Sequence, residues 1–476
     1  MRNIIKRLLY TFCLIITCSV VNAQSLDQAK KLYNEGKYEE AKPVFERLVK
    51  RTPSNSSYNH WYGVCCFKTG DIEEAEKYLT IAVKKRIQES FLYMGDLYYM
   101  TYRFEQSIEM YEEYISIISR KKQNTDEVSA KLNLAKKGRR MLERVEQVQV
   151  IDSVVVNKNS FLSAYQLSED IGSLHTYGDF FNTNDSVYST VFMNQKEDRV
   201  FYAKKNRTNG KYSLHTQSKL IDRWSDEKIL PPNINSENYD ENYPFVLTDG
   251  TTIYYASNNS ESIGGYDLFV TRYSINTDSY LTPEQLGMPY NSIYNDYMMV
   301  IDEDKDLGWF VSDRYQPENK VCIYLFIPDE ARTRIEDDDF ELKRAMATLQ
   351  SIKKTWMPEV DYSDMVKLAY TGASEDNAPN RDFEFVINDK IIYYTLEEFD
   401  NSNAKSLYEK VISIKKEIKE TEEQLEALRL SYSKGYKDVS ARILELEENL
   451  YNLQLQPDDL EKKARNAEII YLRNHK

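Results

Sequence analysis

The sequence predicts a multidomain α+β protein in three successive parts: an N-terminal α-solenoid, a repeated β domain and a C-terminal antiparallel coiled-coil hairpin. Three observations predict it. From Leu26 to about Met141 the apolar residues recur at helical spacing, and small residues stack at a fixed period, as at Ala41 and Ala75. From Gln149 the period falls to two, and β-rich runs repeat in register through Ala203, Ser257 and Ser312. From Leu407 the apolar residues alternate spacings of 4 and 3, which is a heptad seam. The length of 476 residues accommodates about three domains of ~150 residues. A net charge of −14 argues against nucleic acid as a partner, because phosphate neutralisation needs a basic surface, and an anionic membrane face repels the chain as well. The 15 glycines and 38 tyrosines point to packed aromatic cores instead of low-complexity sequence.

The segment Met1–Ala23 carries Arg2, Lys6 and Arg7, then an apolar run from Leu8 to Val21, then Val21-Asn22-Ala23 before Gln24. Cations, a short apolar core and a small-residue cleavage site predict a signal peptide over 1–23 and an exported mature protein. The apolar run is short for a span of ~30 Å. Cys13 and Cys18 leave with that segment, and Cys65, Cys66 and Cys322 remain. An odd count without Cys/His ligand spacing predicts buried free thiols, with neither a disulfide framework nor a zinc site.

Residues 24–148 form the solenoid. Ala29, Gly63 and Gly95 fall where one helix approaches its partner closely, Ala41, Ala75 and Ser107 recur on the second helix, and Phe45, Leu79 and Tyr111 follow one helical turn later. The strings Gly36-Lys37-Tyr38-Glu39-Glu40-Ala41 and Gly70-Asp71-Ile72-Glu73-Glu74-Ala75 resemble tetratricopeptide (TPR) repeats, with a third, slightly shorter unit from Gly95 to Ile115. A helix from about Glu127 to Val148 is expected to cap the stack. The resemblance implies a groove lined by each unit's first helix. Its positions here are Lys30, Tyr33 and Asn34 in the first unit, His60, Val64, Phe67 and Lys68 in the second, and Asp96, Tyr99 and Met100 in the third. A peptide or partner helix suits that set, with Tyr33, Phe67 and Tyr99 as apolar anchors.

Residues 149–400 form the β domain. Aligning Ala203, Ser257 and Ser312 places a turn before each (Gln195, Asp249, Asp304) and an apolar pair beyond it (Leu214-His215, Leu268-Phe269, Ile323-Tyr324). The middle copy carries Gly264, Gly265 and Asp267, and the third carries Ser312, Asp313 and Arg314. These strings resemble the WD40-like PD40 blade of TolB-type β-propellers and their Bacteroidota relatives, with Asn259 in place of the usual Arg. The double glycine suits a turn that needs positive φ. Three blades do not close a propeller, which typically has four to eight. Two further strand sources are Ile151–Val156 and Phe383–Tyr394, the latter separated from the blades by a helical insertion near 340–378; the propeller is either closed by them or left open.

Residues 401–476 hold the helical hairpin. Leu407, Val411, Ile414, Ile418, Thr421, Leu425, Leu428 and Tyr432 make the first seam, Ser433–Asp438 interrupt it, and Val439, Ile443, Leu446, Leu450 and Leu453 resume it. The narrow seam leaves room for a coiled-coil partner or self-association. Pro457 ends the hairpin and a final helix follows.

No chemistry-bearing constellation emerges. His60, His175, His215 and His475 lie outside metal-ligand spacing of one another, and there is no Gly-x-Ser-x-Gly elbow, P-loop or dinucleotide fingerprint. Glu336–Asp339 lacks the calcium-loop spacing and its glycine. Asp152-Ser153-Val154 and Asp185-Ser186-Val187 look like the O-glycosylation signature of exported Bacteroidota proteins. The expectation is therefore no enzyme, cofactor or metal. The resemblance implies a protein-interaction scaffold of the periplasm or outer membrane, with envelope proteins or peptides as partners and membrane association only through them. The competing expectation is a glycan- or peptide-binding propeller, or a degenerate hydrolase, with an aromatic and carboxylate cluster around Tyr266, Asp267 and Trp309 on its central face.

Overall fold

The computed structural model describes residues 25–475 apart from 184–188, 222, 330, 337–338, 371–382, 384, 389–390, 394, 434–436 and 455. The expected signal segment and Asp185-Ser186-Val187 lie outside the described residues. Among the described residues seven helices come first: α1 (Leu26–Asn34), α2 (Tyr38–Arg51), α3 (Ser56–Lys68), α4 (Ile72–Lys84), α5 (Gln88–Met100), α6 (Phe104–Arg120) and α7 (Asp126–Leu142). The second helices begin at Tyr38, Ile72 and Phe104, so the third unit is the shorter one. Close approach explains the small residues: a Cβ on Gly63 would lie 2.9 Å from Leu79 Cγ, and one on Gly95 would lie 2.5 Å from the Tyr111 ring. Gly36 and Gly70 take positive φ between paired helices, where a side chain is disfavoured. Helix α7 ends at Leu142, short of the expected Val148, because Val145 and Gln147 pair in extended form with Ile335 and Thr333.

Three antiparallel sheets follow. The first runs β2 (Ser173–Thr176), β3 (Thr190–Met193), β4 (Arg199–Lys205), β5 (Tyr212–Ser218) and β6 (Lys228–Ile229). The second holds β7 (Glu241–Val246), β8 (Thr252–Ser257), β9 (Asp267–Ser274) and β10 (Ser279–Tyr280), with β11 (Glu284–Gln285) also on β9. The third has the order β1 (Gln149–Asn157), β14 (Lys320–Ile327), β13 (Leu307–Ser312) and β12 (Asp296–Asp302). The aligned positions Ala203, Ser257 and Ser312 fall in β4, β8 and β13, so each copy is one sheet. The first sheet packs on β7, and β12 packs on β7, β8 and β9. The strand expected at Ile151–Val156 is the outer strand of the third sheet, with Val154 opposite Ile323. Segment 158–172 fills the space beside it: Tyr165 stacks edge-on against Trp309, Phe161 meets Tyr243, and Ser168 donates to Asp302.

Helix α8 (Tyr177–Phe181) lays Tyr177 and Phe181 against Tyr202 of the first sheet. The expected insertion is two short helices, α9 (Phe340–Thr348) and α10 (Ser363–Ala369), separated by a 3-10 turn at Ile352–Thr355 and by Pro358. It covers the edge strand β1: Val150 donates to Thr355 Oγ1 at 2.9 Å, and Trp356 Nε1 donates to Val150 O at 2.8 Å. An edge covered in this way is closed to further strand pairing.

The late strands correct one expectation. Among the described residues, β15 (Phe385–Asn388) and β16 (Ile391–Tyr393) pair only with each other and do not join the three sheets. They pack with α11 (Ser402–Ser433) and α13 (Pro457–His475) in a core of Phe385, Tyr393, Phe399, Tyr408, Val411 and Leu472. They belong with the C-terminal helices, so the expected boundary at residue 400 falls inside a packed unit. Helix α12 (Ser440–Gln454) and α13 run antiparallel to α11, as Arg429–Glu447 and Lys415–Glu461 ion pairs show. Buried Glu468 of α13 accepts from Tyr393 Oη and from the Asp400 and Asn401 amides, which fixes the base of the hairpin.

Candidate functional site

The residues of the expected groove separate into three groups. Tyr33 of α1, His60 of α3 and Ser90 of α5 form a hydrogen-bonded chain, with Tyr33 Oη 3.3 Å from His60 Nε2 and His60 Nδ1 2.8 Å from Ser90 Oγ. Burial holds the His60 imidazole down to about 4, so it is neutral across the physiological range. A serine at hydrogen-bond distance from a histidine is the starting geometry of nucleophilic catalysis. Here Ser90 is wholly buried, so the contact ties helices together and presents no hydroxyl to a substrate.

Beside that chain opens a cleft of about 320 Å³ lined by Ser57, His60, Trp61, Ile87, Gln88 and Glu89. Lys30 Nζ stands 4.7 Å from the centroid of the Trp61 ring, and Lys68 Nζ lies 5.5 Å and 5.6 Å from those of Phe67 and Tyr93. Cations over aromatic faces are held by the ring quadrupole and keep the charge at the surface. Asn34 is exposed, whereas Val64 and Phe67 are core residues, so Phe67 does not serve as an accessible anchor.

The third unit turns inward. Tyr99 Oη donates to Ile263 O of the second sheet at 2.7 Å, and Asp96 accepts from Tyr111 Oη and Lys131 Nζ. Tyr99 is thus part of the junction between solenoid and sheets, where Tyr102, Phe104, Val145, Ile263 and Met288 share a core. Met100 remains exposed. Trp61, Tyr93, Gln88 and Glu89 were not among the carried-over positions. Trp61 directly follows His60, and an aromatic beside a groove position on a helix already placed was the signal for it.

The sheet motifs are structural supports. Asp267 is wholly buried and accepts from the Ile263 and Gly264 amides and from Gln285 Nε2. Burial pushes its carboxyl up to about 8. Gly264 and Gly265 correct the reading of a positive-φ turn: neither takes that conformation, and a Cβ on them would lie 1.8 Å from Tyr294 O and 1.9 Å from Asn295 Oδ1. Close approach to the next sheet requires glycine there. Arg314 is wholly buried, donating to Asp296 Oδ1, Ser312 Oγ and the carbonyls of Pro289 and Tyr290. Asp313 accepts from the Asn295 amide and Nδ2; in the second sheet the same pair is reversed, Asp240 accepting from Asn258. Asn235 and Asn291 each bind the backbone of the third strand of the preceding copy, Leu214 or Leu268. That Asn-Ser pair at 235–236 and 291–292 is a repeat sequence reasoning passed over. Trp309 and Asp267 are core residues and present nothing on a central face, whereas half-buried Tyr266 packs against Tyr243 and Tyr297, whose Oη donates to Asp313.

Cys65, Cys66 and Cys322 are buried free thiols, and burial pushes Cys66 up to about 11. Among the described residues no group of three His, Cys, Asp or Glu is placed to hold a metal ion, and no helix is long and apolar enough to cross a membrane. A tetratricopeptide repeat family matches residues 26–90, from α1 into the start of α5. No curated protein matches the chain. Such repeats are protein-interaction modules, which fits a cleft lined by the Trp61 ring and the Gln88 and Glu89 side chains in the matched segment.

Proposed function

We propose that the chain is a non-enzymatic interaction scaffold of the bacterial cell envelope, exported through the segment Met1–Ala23, that docks a peptide or partner helix in the cleft between α3 and α5. The observation that carries the reading is the Lys30-covered Trp61 beside neutral His60, at the rim of a cleft within the repeat segment. The half-buried Trp61 ring and the Gln88 and Glu89 side chains at the same cleft offer apolar area and hydrogen bonding together, the combination by which interfaces anchor a partner. The sheets act as a platform gripping the end of the solenoid, and the helical hairpin offers a further surface for partners.

The test is affinity purification of the tagged protein from cross-linked envelope fractions, comparing the native sequence with a Lys30→Glu/Gln88→Arg variant. Both substitutions lie on accessible side chains, so the helices keep their packing. Defined envelope proteins recovered with the native chain and lost with the variant support the reading. Equal recovery with both removes the cleft from it. Determination of the mature N terminus tests export, with Gln24 as the expected first residue.

A further inference from the structure

A second cleft, of about 220 Å³, opens where α7 meets the second sheet, and its charge is opposite to that of the chain. Its walls hold five cations and three carboxylates, in a protein of net charge −14. Two of the cations engage all three carboxylates, which leaves the cleft a net charge of +2. Arg332 holds buried Glu146 at 2.6 Å and Glu284 at 3.1 Å, and Lys137 pairs with Glu261. The cations not engaged in this way are Arg140, Arg144 and Arg334, all exposed, and none has a side-chain hydrogen bond or ion pair with another described residue. The helix dipole favours cations on the last turn of α7, but Arg334 reaches the same cleft from another segment, so the dipole does not explain the cluster.

The backbone under these three residues is fixed. Ile335 donates to Val145 O, Gln147 to Thr333 O, and Glu146 to Met288 O, while Gly287 leaves no room for a Cβ clear of Glu146. We propose that this cleft is a second docking site, separate from the one between α3 and α5, and that it takes an acidic peptide segment of a protein partner. Guanidinium groups pair with carboxylates through two parallel hydrogen bonds, and three on a rigid frame select closely spaced Asp or Glu side chains. A narrow cleft within an acidic surface fits a few carboxylates and repels an extended polyanion such as nucleic acid or an anionic bilayer.

The test is fluorescence anisotropy of a labelled hexaglutamate peptide with the mature chain at 50 and 200 mM salt. Binding is expected at low salt and weakens as salt rises. An Arg140→Gln/Arg144→Gln/Arg334→Gln variant should bind at least tenfold more weakly, while an Arg47→Gln/Lys84→Gln/Lys85→Gln control stays within twofold. The Lys30→Glu/Gln88→Arg variant should bind the peptide as the native chain does, so the two sites fail or stand separately. If the triple variant loses its native circular dichroism, Arg140→Gln and Arg334→Gln alone replace it, each with an expected threefold loss. No binding, equal binding by the cleft variants, equal loss in the control, or displacement by inorganic phosphate as effective as by unlabelled peptide overturns the assignment.

Discussion

Arg314 and Glu241 show how one position in a repeat is solved twice. In the third sheet Asp296 is buried against Arg314 at 2.8 Å, whereas in the second sheet Asn259 stands at the arginine's position and Glu241 accepts from Ser257 Oγ and the Ser236 amide. Arg314→Ala removes the cation that buried Asp296 is paired with, and should destabilise the protein by about 3–5 kcal/mol in urea unfolding. Without a cation, Glu241 is pushed by burial up to about 8, against an ordinary value of 4.5. The folded state then holds a proton that the unfolded state releases, so this residue's contribution to stability falls as pH rises from about 4.5 to about 8 and stays low above it. Glu241→Gln can keep both hydrogen bonds and has no proton to lose. Its urea midpoint relative to the native chain should therefore rise between pH 5 and pH 8, by at least about 1 kcal/mol in stability; an unchanged difference would show that Glu241 ionises normally. The departure at Asn259 was legible in the sequence, but its carboxylate partner was not, because Glu241 comes from the start of the neighbouring strand β7 and meets Ser257 only once the ladder has formed.

The elements were legible to different degrees, for a physical reason. Helical repeats reveal themselves because each helix packs on its sequence neighbour, so a regular spacing of small residues reports a contact directly. Gly63→Ala and Gly95→Ala test this: each added methyl meets a neighbour at 2.9 Å or less, and should cost about 1–3 kcal/mol with a lowered thermal midpoint. Gly70→Ala meets no atom within 4 Å, so its strain comes from positive φ and not from a clash. Strand periodicity says less. A period of two shows which side chains share a face, not which sheet receives the strand. Ile151–Val156 and Phe383–Tyr394 looked equivalent as sources of added strands, yet the first pairs with β14 and the second forms its own hairpin. The glycine pair at 264–265 was misread for a related cause: contact with Tyr294 and Asn295 depends on how the second and third sheets pack, which no local pattern encodes. Of the positions carried over from the resemblance, Val64 and Phe67 of α3 lie in the solenoid core, and the inward turn of Tyr99 needed the sheet in place.

At the scale of the molecule, the cores divide the chain unevenly. One core runs from Val148 to Tyr370 and unites the three sheets with α10, and a further one, which holds Met346 and Ala347 of α9, ties that unit to the end of the solenoid. The C-terminal core draws its members only from Phe383 to Leu472. Burial of apolar area drives folding, so two cores without shared members are expected to unfold separately. A mature chain ending at Tyr370 should consequently stay folded. All four tryptophans, Trp61, Trp224, Trp309 and Trp356, precede that point, so their fluorescence reports only the solenoid and sheets. In urea the fluorescence midpoint should be the same for the mature and shortened chains. Circular dichroism at 222 nm should differ, because α11 alone contributes 32 helical residues that the shortened chain lacks, and the mature chain should show an added transition from them. A shortened chain that aggregates, or whose tryptophan transition moves to lower urea, would mean that the C-terminal unit supports the sheets. The helical hairpin would then be part of the platform on which the solenoid rests, and no longer a surface free for partners.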